Sequence, residues 1–195
     1  MASELQVTTI KGVPTGANAN QILVGSGQTF IGGSGSIIQV KSIKLNGASQ
    51  TISTDSWTAS NHPSLSITTK QANSELLINA MGARYEIDTQ AADKGIGYTF
   101  FVNINGGGFQ HATDYLTGGT TNQERFLQFE YRTGTYPNLQ GALSLGYRFN
   151  PSSSAAGTTY EFKIYTRGWN ANSVQPVKYD GAGAVGHFQI MEIAQ

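Results

Sequence analysis

Ile96-Gly97-Tyr98-Thr99-Phe100-Phe101-Val102-Asn103-Ile104 decides how this chain folds. Ile96, Tyr98, Phe100, Val102 and Ile104 alternate with Gly97, Thr99, Phe101 and Asn103. A period of two is the signature of a strand, because successive side chains point to opposite faces. Gly106-Gly107-Gly108 then turns the chain into Phe109–Leu116, which predicts a hairpin. Phe101 stands on the face opposite Phe100, so this strand carries apolar groups on both sides. Such strands occur where the outer face of a sheet is covered as well.

The same period runs outward from this stretch. Leu143, Leu145, Tyr147 and Phe149 share one face, with Ala142, Ser144, Gly146 and Arg148 opposite. Tyr160, Phe162 and Ile164 alternate with Glu161, Lys163 and Tyr165, and the chain ends on Phe188, Ile190, Met191 and Ile193. Towards the N-terminus, Ile37, Ile38, Val40, Ile43 and Leu45 read as a strand, and Asn46-Gly47 reads as the turn of a hairpin whose return includes Ile52. Leu76 to Ile87 reads as a long strand with a bulge or bend at Gly82. Gln71–Met81 comes nearest to a helical period, but β-branched Ile78 and the flanking glycine favour a strand. Roughly eight to ten strands with turn-rich connections predict an all-β, antiparallel two-sheet sandwich, with a jelly roll as the favoured version.

Residues 1–36 differ in texture. They hold only Glu4 and Lys11 as charges, many glycines, and small apolar clusters that include Leu5, Val7, Ile10, Ile22, Leu23 and Val24. Clusters of this size do not close a core, so the expectation is an extended arm at 1–36 that docks on neighbouring chains, followed by a folded head at 37–195.

Charged residues make up 12% of the chain and net charge is zero. That composition argues against nucleic acid and anionic lipid as partners. It suits a surface that packs on copies of itself better than one solvated alone. The start lacks a basic segment followed by an apolar one, so no secretory signal is expected, and no stretch is long and apolar enough to span a membrane as a helix.

Chemistry-bearing constellations are absent from the sequence. His62, His111 and His187 stand far apart and read as loop or strand-end residues. Glu86 and Asp88 are the nearest approach to a paired-carboxylate site, and solvated strand-end charges are their ordinary reading. There is no nucleophile elbow and no phosphate loop. The expectation is a non-enzyme with no catalytic residue, metal or cofactor. The aromatic residues carry more information. Phe101, Tyr131, Tyr147 and Tyr165 are assigned to a covered outer face, most simply a subunit interface. Trp57 and Trp169 lie near loops, where each either plugs an end of the sandwich or stands exposed to stack on a sugar or anchor a receptor.

Several segments carry a resemblance. Ser3-Glu-Leu-Gln-Val-Thr-Thr-Ile10 looks like the start of tail-fibre and fibre-like proteins of marine and cyanobacterial phages, and Ala19-Asn-Gln-Ile-Leu-Val24 is similar to a segment preceding their distal domains. Gly35–Val40, Ser66–Lys70, Ser74–Ile78 and Phe188–Ile193 resemble trimeric jelly-roll heads of the tumour-necrosis-factor and C1q kind. The resemblance implies a homotrimeric virion protein, made in the host cytoplasm. Its arm would attach to other virion proteins, and its head would face a host-surface glycan or protein. The absence of a long shaft keeps a capsid decoration protein open, and a soluble carbohydrate-binding module is the alternative of another class.

Overall fold

A computed structural model describes residues 33–45, 50, 52, 54–87, 94–112, 126–132, 139–151, 154–169 and 186–195. The chain divides into Met1–Ile31 and Gly32–Gln195, and the first unit lies outside the described residues. Ten strands form, and no α-helix occurs among the described residues. They are β1 (Ile37–Leu45), β2 (Thr58–Ala59), β3 (Leu65–Thr68), β4 (Glu75–Ile87), β5 (Lys94–Ile104), β6 (Phe109–His111), β7 (Gln128–Arg132), β8 (Leu139–Phe149), β9 (Thr159–Trp169) and β10 (Gly186–Ile193).

The strands make two antiparallel sheets. One has the order β1-β10-β4-β8. In the other, β9 and β5 lie at the centre, β2 and β3 share the far side of β9, and β6 and β7 share the far side of β5. Counting β2 with β3 and β6 with β7 gives eight positions in chain order. First then pairs with last, second with seventh, third with sixth and fourth with fifth. A long hairpin rolled up on itself has this pairing, and it is the jelly roll.

The alternation read from the sequence fills the space between the sheets. Ile96, Tyr98, Phe100 and Val102 of β5 are buried, facing Leu76, Ile78, Leu145, Phe149, Phe188 and Ile190 of the other sheet. Phe100 stacks on Phe188 with centroids 5.5 Å apart, and Phe149 meets Phe162 edge-on at 5.3 Å. Burying side chains of this size contributes about 2–3 kcal/mol each before chain entropy is charged against it. Gly82 takes a φ of 91° at a register shift between Met81 and Arg84, so the bulge expected there is present. The hairpin at Gly106–Gly108 is present too, joining β5 to β6.

The hairpin turn read at Asn46-Gly47 lies outside the described residues. The described partner of β1 is β10. Gly33–Ser36, assigned to the arm by texture, are tied to the body. The Gly35 amide donates to the Ala194 carbonyl and the Ala194 amide to that of Ser36.

Glutamine side chains close both lateral sides of the sandwich. On one side the Gln39 amide nitrogen of β1 donates to the Thr68 carbonyl of β3 at 2.7 Å. On the other, Gln128 of β7 donates to the Ala142 carbonyl and accepts from the Ser144 amide of β8, at 3.2 and 2.9 Å. The second clasp occupies backbone groups of β8 that would otherwise invite edge pairing.

Candidate functional site

The outer face of the β9–β5 sheet is aromatic. Directly paired residues share a face, so Phe101–Lys163, Thr99–Tyr165 and Gly97–Arg167 form successive outer rows. Phe101 and Tyr165 stack at 3.9 Å across neighbouring rows. Trp57 reaches over from the loop before β2 and lies 6.1 Å from Phe101, 5.5 Å from His111 and 5.2 Å from Phe126. Phe126 sits directly on Gly97, where an added Cβ would fall 1.8 Å from the ring. Beneath these rings Thr99, an outer-row residue, is wholly buried.

Trp57, Phe101 and Tyr165, assigned by sequence to two different surfaces, therefore meet in one half-buried cluster. Part of the cover on this face comes from the chain's own Trp57 and Phe126. The sequence reading had looked to another subunit. The two-faced pattern of β5 was read correctly. Its cover was missed because Trp57 and Phe126 are distant in sequence.

The outer face of the other sheet is different. Val40–Met191–Leu77, Ser42–Gln189–Asn79 and Lys44–His187–Met81 are its successive rows across β1, β10 and β4. Val40 is 47% exposed and Met81 44%, and Ile37, paired with Ile193 at the end of this face, is 58% exposed. Arg148 of β8, paired in register with Leu77, reaches the buried carboxylate of Glu75. Ile43 stays 36% exposed although its partner Phe188 is buried, so β1 overhangs the sandwich. No candidate residue had been placed on this face. Its signal was the apolar run of β1, of which only Leu45 is buried.

The remaining candidates separate. Tyr147 belongs to the interior and not to an outer face. Its hydroxyl donates to the Ala112 carbonyl at 3.3 Å, and burial pushes that hydroxyl up to about 12. Its place in the β8 alternation already puts it with buried Leu145 and Phe149. Tyr131 and Trp169 both pair in register with Gly95, but their side chains lie outside the described residues. So do the arm residues Leu5, Val7, Ile10, Ile22, Leu23 and Val24, and Asp88 with the side chain of Glu86.

The sequence does not announce the burial of Glu192 and His62. Glu192 is fully buried and accepts from the Lys70 amide at 2.8 Å, the Gln71 amide at 3.1 Å, the Ser74 hydroxyl at 2.7 Å and the Gln39 amide at 2.5 Å. A carboxylate so engaged ties the 69–74 turn to the last strand. His62 is buried in the loop after β2. Desolvation, and then the Lys163 ammonium that donates to its carbonyl, lower it to about 4. Among the described residues, no three His, Cys, Asp or Glu side chains gather as a metal-ion site.

No known family profile matches the chain, and no curated protein matches it. Among solved structures, the chain is similar to dimeric latent PorU from Porphyromonas gingivalis, with a TM-score of 0.37, 8% identity, and coverage of 91% of this chain and 15% of that one. It is also similar to infectious bursal disease virus, Gx strain, with a TM-score of 0.32, 11% identity, and coverage of 89% of this chain and 41% of that one. The chain thus spans less than half the length of either.

Proposed function

We propose that this chain is a non-enzymatic structural virion protein, a trimeric fibre- or spike-like component. Its arm at 1–36 would attach to the particle and its jelly-roll head would point outward. The observation that carries the proposal is the open outer face of β1-β10-β4, where Ile37 and Val40 stand exposed near Leu77, Met191 and Ile193 at one end and Met81 stands exposed two rows away. Exposed apolar groups gathered on one sheet face are what association with further copies would bury. The low charge and the resemblance of residues 3–10 and 19–24 to phage fibre proteins support the same reading. A capsid decoration protein would use the same face.

Light scattering after size exclusion of the full chain at micromolar concentration should give three times the chain mass. Val40→Asp combined with Met81→Asp should give a folded monomer, since buried unpaired carboxylates oppose association by several kcal/mol. A wild-type monomer, or a trimeric double variant, would overturn the assignment of this face. The cluster of Trp57, Phe101 and Tyr165 favours a second reading, a carbohydrate-binding head. That reading predicts glycan binding by the monomeric variant, lost in Trp57→Ala.

A further inference from the structure

We propose that Phe109, Tyr165, Glu161, Asn103 and Lys163 form a binding site for an uncharged hexopyranose unit of a glycan. The proposal rests on the carbohydrate-binding reading above and names the groups and the sugar class that it would use. Glu161 of β9 pairs in register with Asn103 of β5, and Asn103 with Phe109 of β6, so the three stand side by side in one outer row. Lys163, Phe101 and His111 make the next row, and Tyr165 follows on β9. Tyr165 lies 3.9 Å from Phe101 and 6.0 Å from Phe109, so a ridge of rings runs down to the polar row. Trp57 and Phe126 lie at the other end of that ridge. Phe109, Tyr165, Glu161, Asn103 and Lys163 are each half-buried, held by the sheet yet open to solvent on one side.

The polar row is set in advance. The Ser64 hydroxyl donates to one Glu161 oxygen at 2.5 Å, and the Asn103 amide donates to the other at 3.3 Å. The Gly108 backbone amide donates to Asn103 Oδ1 at 3.0 Å, which fixes which way that side chain points. Lys163 Nζ donates to the His62 carbonyl at 3.3 Å. A carboxylate has about four lone-pair sites, a side-chain amide nitrogen two donors and an ammonium three, so each group keeps room for a further partner. A hexopyranose offers the complement: a face of C–H groups that packs on a ring, and a rim of hydroxyls that both donate and accept. Its hydroxyls donate to Glu161 and accept from Asn103 and Lys163, while its C–H face lies on Phe109 or Tyr165. The Glu161 carboxylate and the Lys163 ammonium stand two positions apart on one face of β9 and offset each other, which favours a neutral sugar over a charged one.

The test is binding of the full chain to immobilised neutral oligosaccharides ending in galactose, glucose or mannose, with sialylated and sulfated forms alongside. Near-UV circular dichroism checks that each variant is folded. We expect the wild type to bind a neutral sugar with an affinity that salt hardly changes. Glu161→Gln keeps the size of the side chain and an acceptor for Ser64, and should weaken binding about tenfold or more through loss of a charged hydrogen bond. Phe109→Ala should abolish binding and Phe109→Tyr should retain it, while Met81→Ser on the other sheet should bind as the wild type does. Binding that is lost in Trp57→Ala but unchanged in Glu161→Gln would overturn this site, leave its polar row a structural link, and keep the carbohydrate reading. Binding confined to the sialylated or sulfated forms would overturn the proposal as well. A wild type that binds none of the sugars would remove the carbohydrate reading, and this proposal with it.

Discussion

The two sheets of this sandwich treat their outer faces in opposite ways. The β9–β5 sheet sets a glycine and a threonine, Gly97 and Thr99, on its outer face and lays Phe126 and Trp57 over them. The β1-β10-β4-β8 sheet sets Val40, Leu77, Met81 and Met191 outward and lays none of the described loops over Val40 or Met81. Both inner faces are filled alike. The difference teaches that apolar outward residues do not by themselves announce a partner. They support the proposal of a partner only where they stay exposed among the described residues.

The largest expected effect concerns a histidine beside the covered sheet. His62 is buried in the loop after β2, where Lys163 of the covered sheet bonds its carbonyl, and desolvation holds it near pH 4, below the usual histidine value of 6.5. The unfolded chain therefore binds a proton first, and stability present at neutral pH is lost as pH falls from about 6.5 to 4. At about 1.4 kcal/mol per unit the loss approaches 3 kcal/mol. Denaturant unfolding of the monomeric double variant should show this loss between pH 7 and 4. Replacing His62 by Gln should flatten it. An unchanged slope in His62→Gln would show that other groups carry the acid response.

A smaller effect tests the cover itself. Gly97→Ala drives a methyl into the Phe126 ring, which must swing off the sheet and leave Trp57 with fewer neighbours. The expected loss is about 2 kcal/mol, in the range of overpacked sites, together with a change in Trp57 fluorescence. Met81→Ser on the open face should change the monomer's stability by under about 0.5 kcal/mol. Equal losses would mean that the two faces are not different in kind. An effect of similar or smaller size than that of Gly97→Ala concerns the lateral closure. Gln128→Ala removes two hydrogen bonds to β8 and should cost about 1–2 kcal/mol by chemical denaturation.

The inward rows were legible because alternation is local. Phe100, Phe149, Phe162 and Phe188 announce themselves from their neighbours in sequence, as does the bulge at Gly82. What was not legible depends on pairings across the chain. The pairing of the first strand with the last, and the overhang of β1 that goes with it, leave no trace in the residues around Ile37–Leu45. Phe101, Tyr165 and Trp57 were each visible as unusual, yet only tertiary packing brings them together. Glu192 looks like an ordinary strand-end acid, and its burial depends on amides at 70 and 71, far away in the sequence.

The glutamine clasps have one more consequence. Gln39 and Gln128 hold the two sheets together at their sides with neutral amides, where many proteins place ion pairs. Mobile ions have no charge to screen in such a bond, and the carboxylate that Gln39 also touches is sealed from them. The body should keep its sides shut with the same strength in dilute buffer and in concentrated brine.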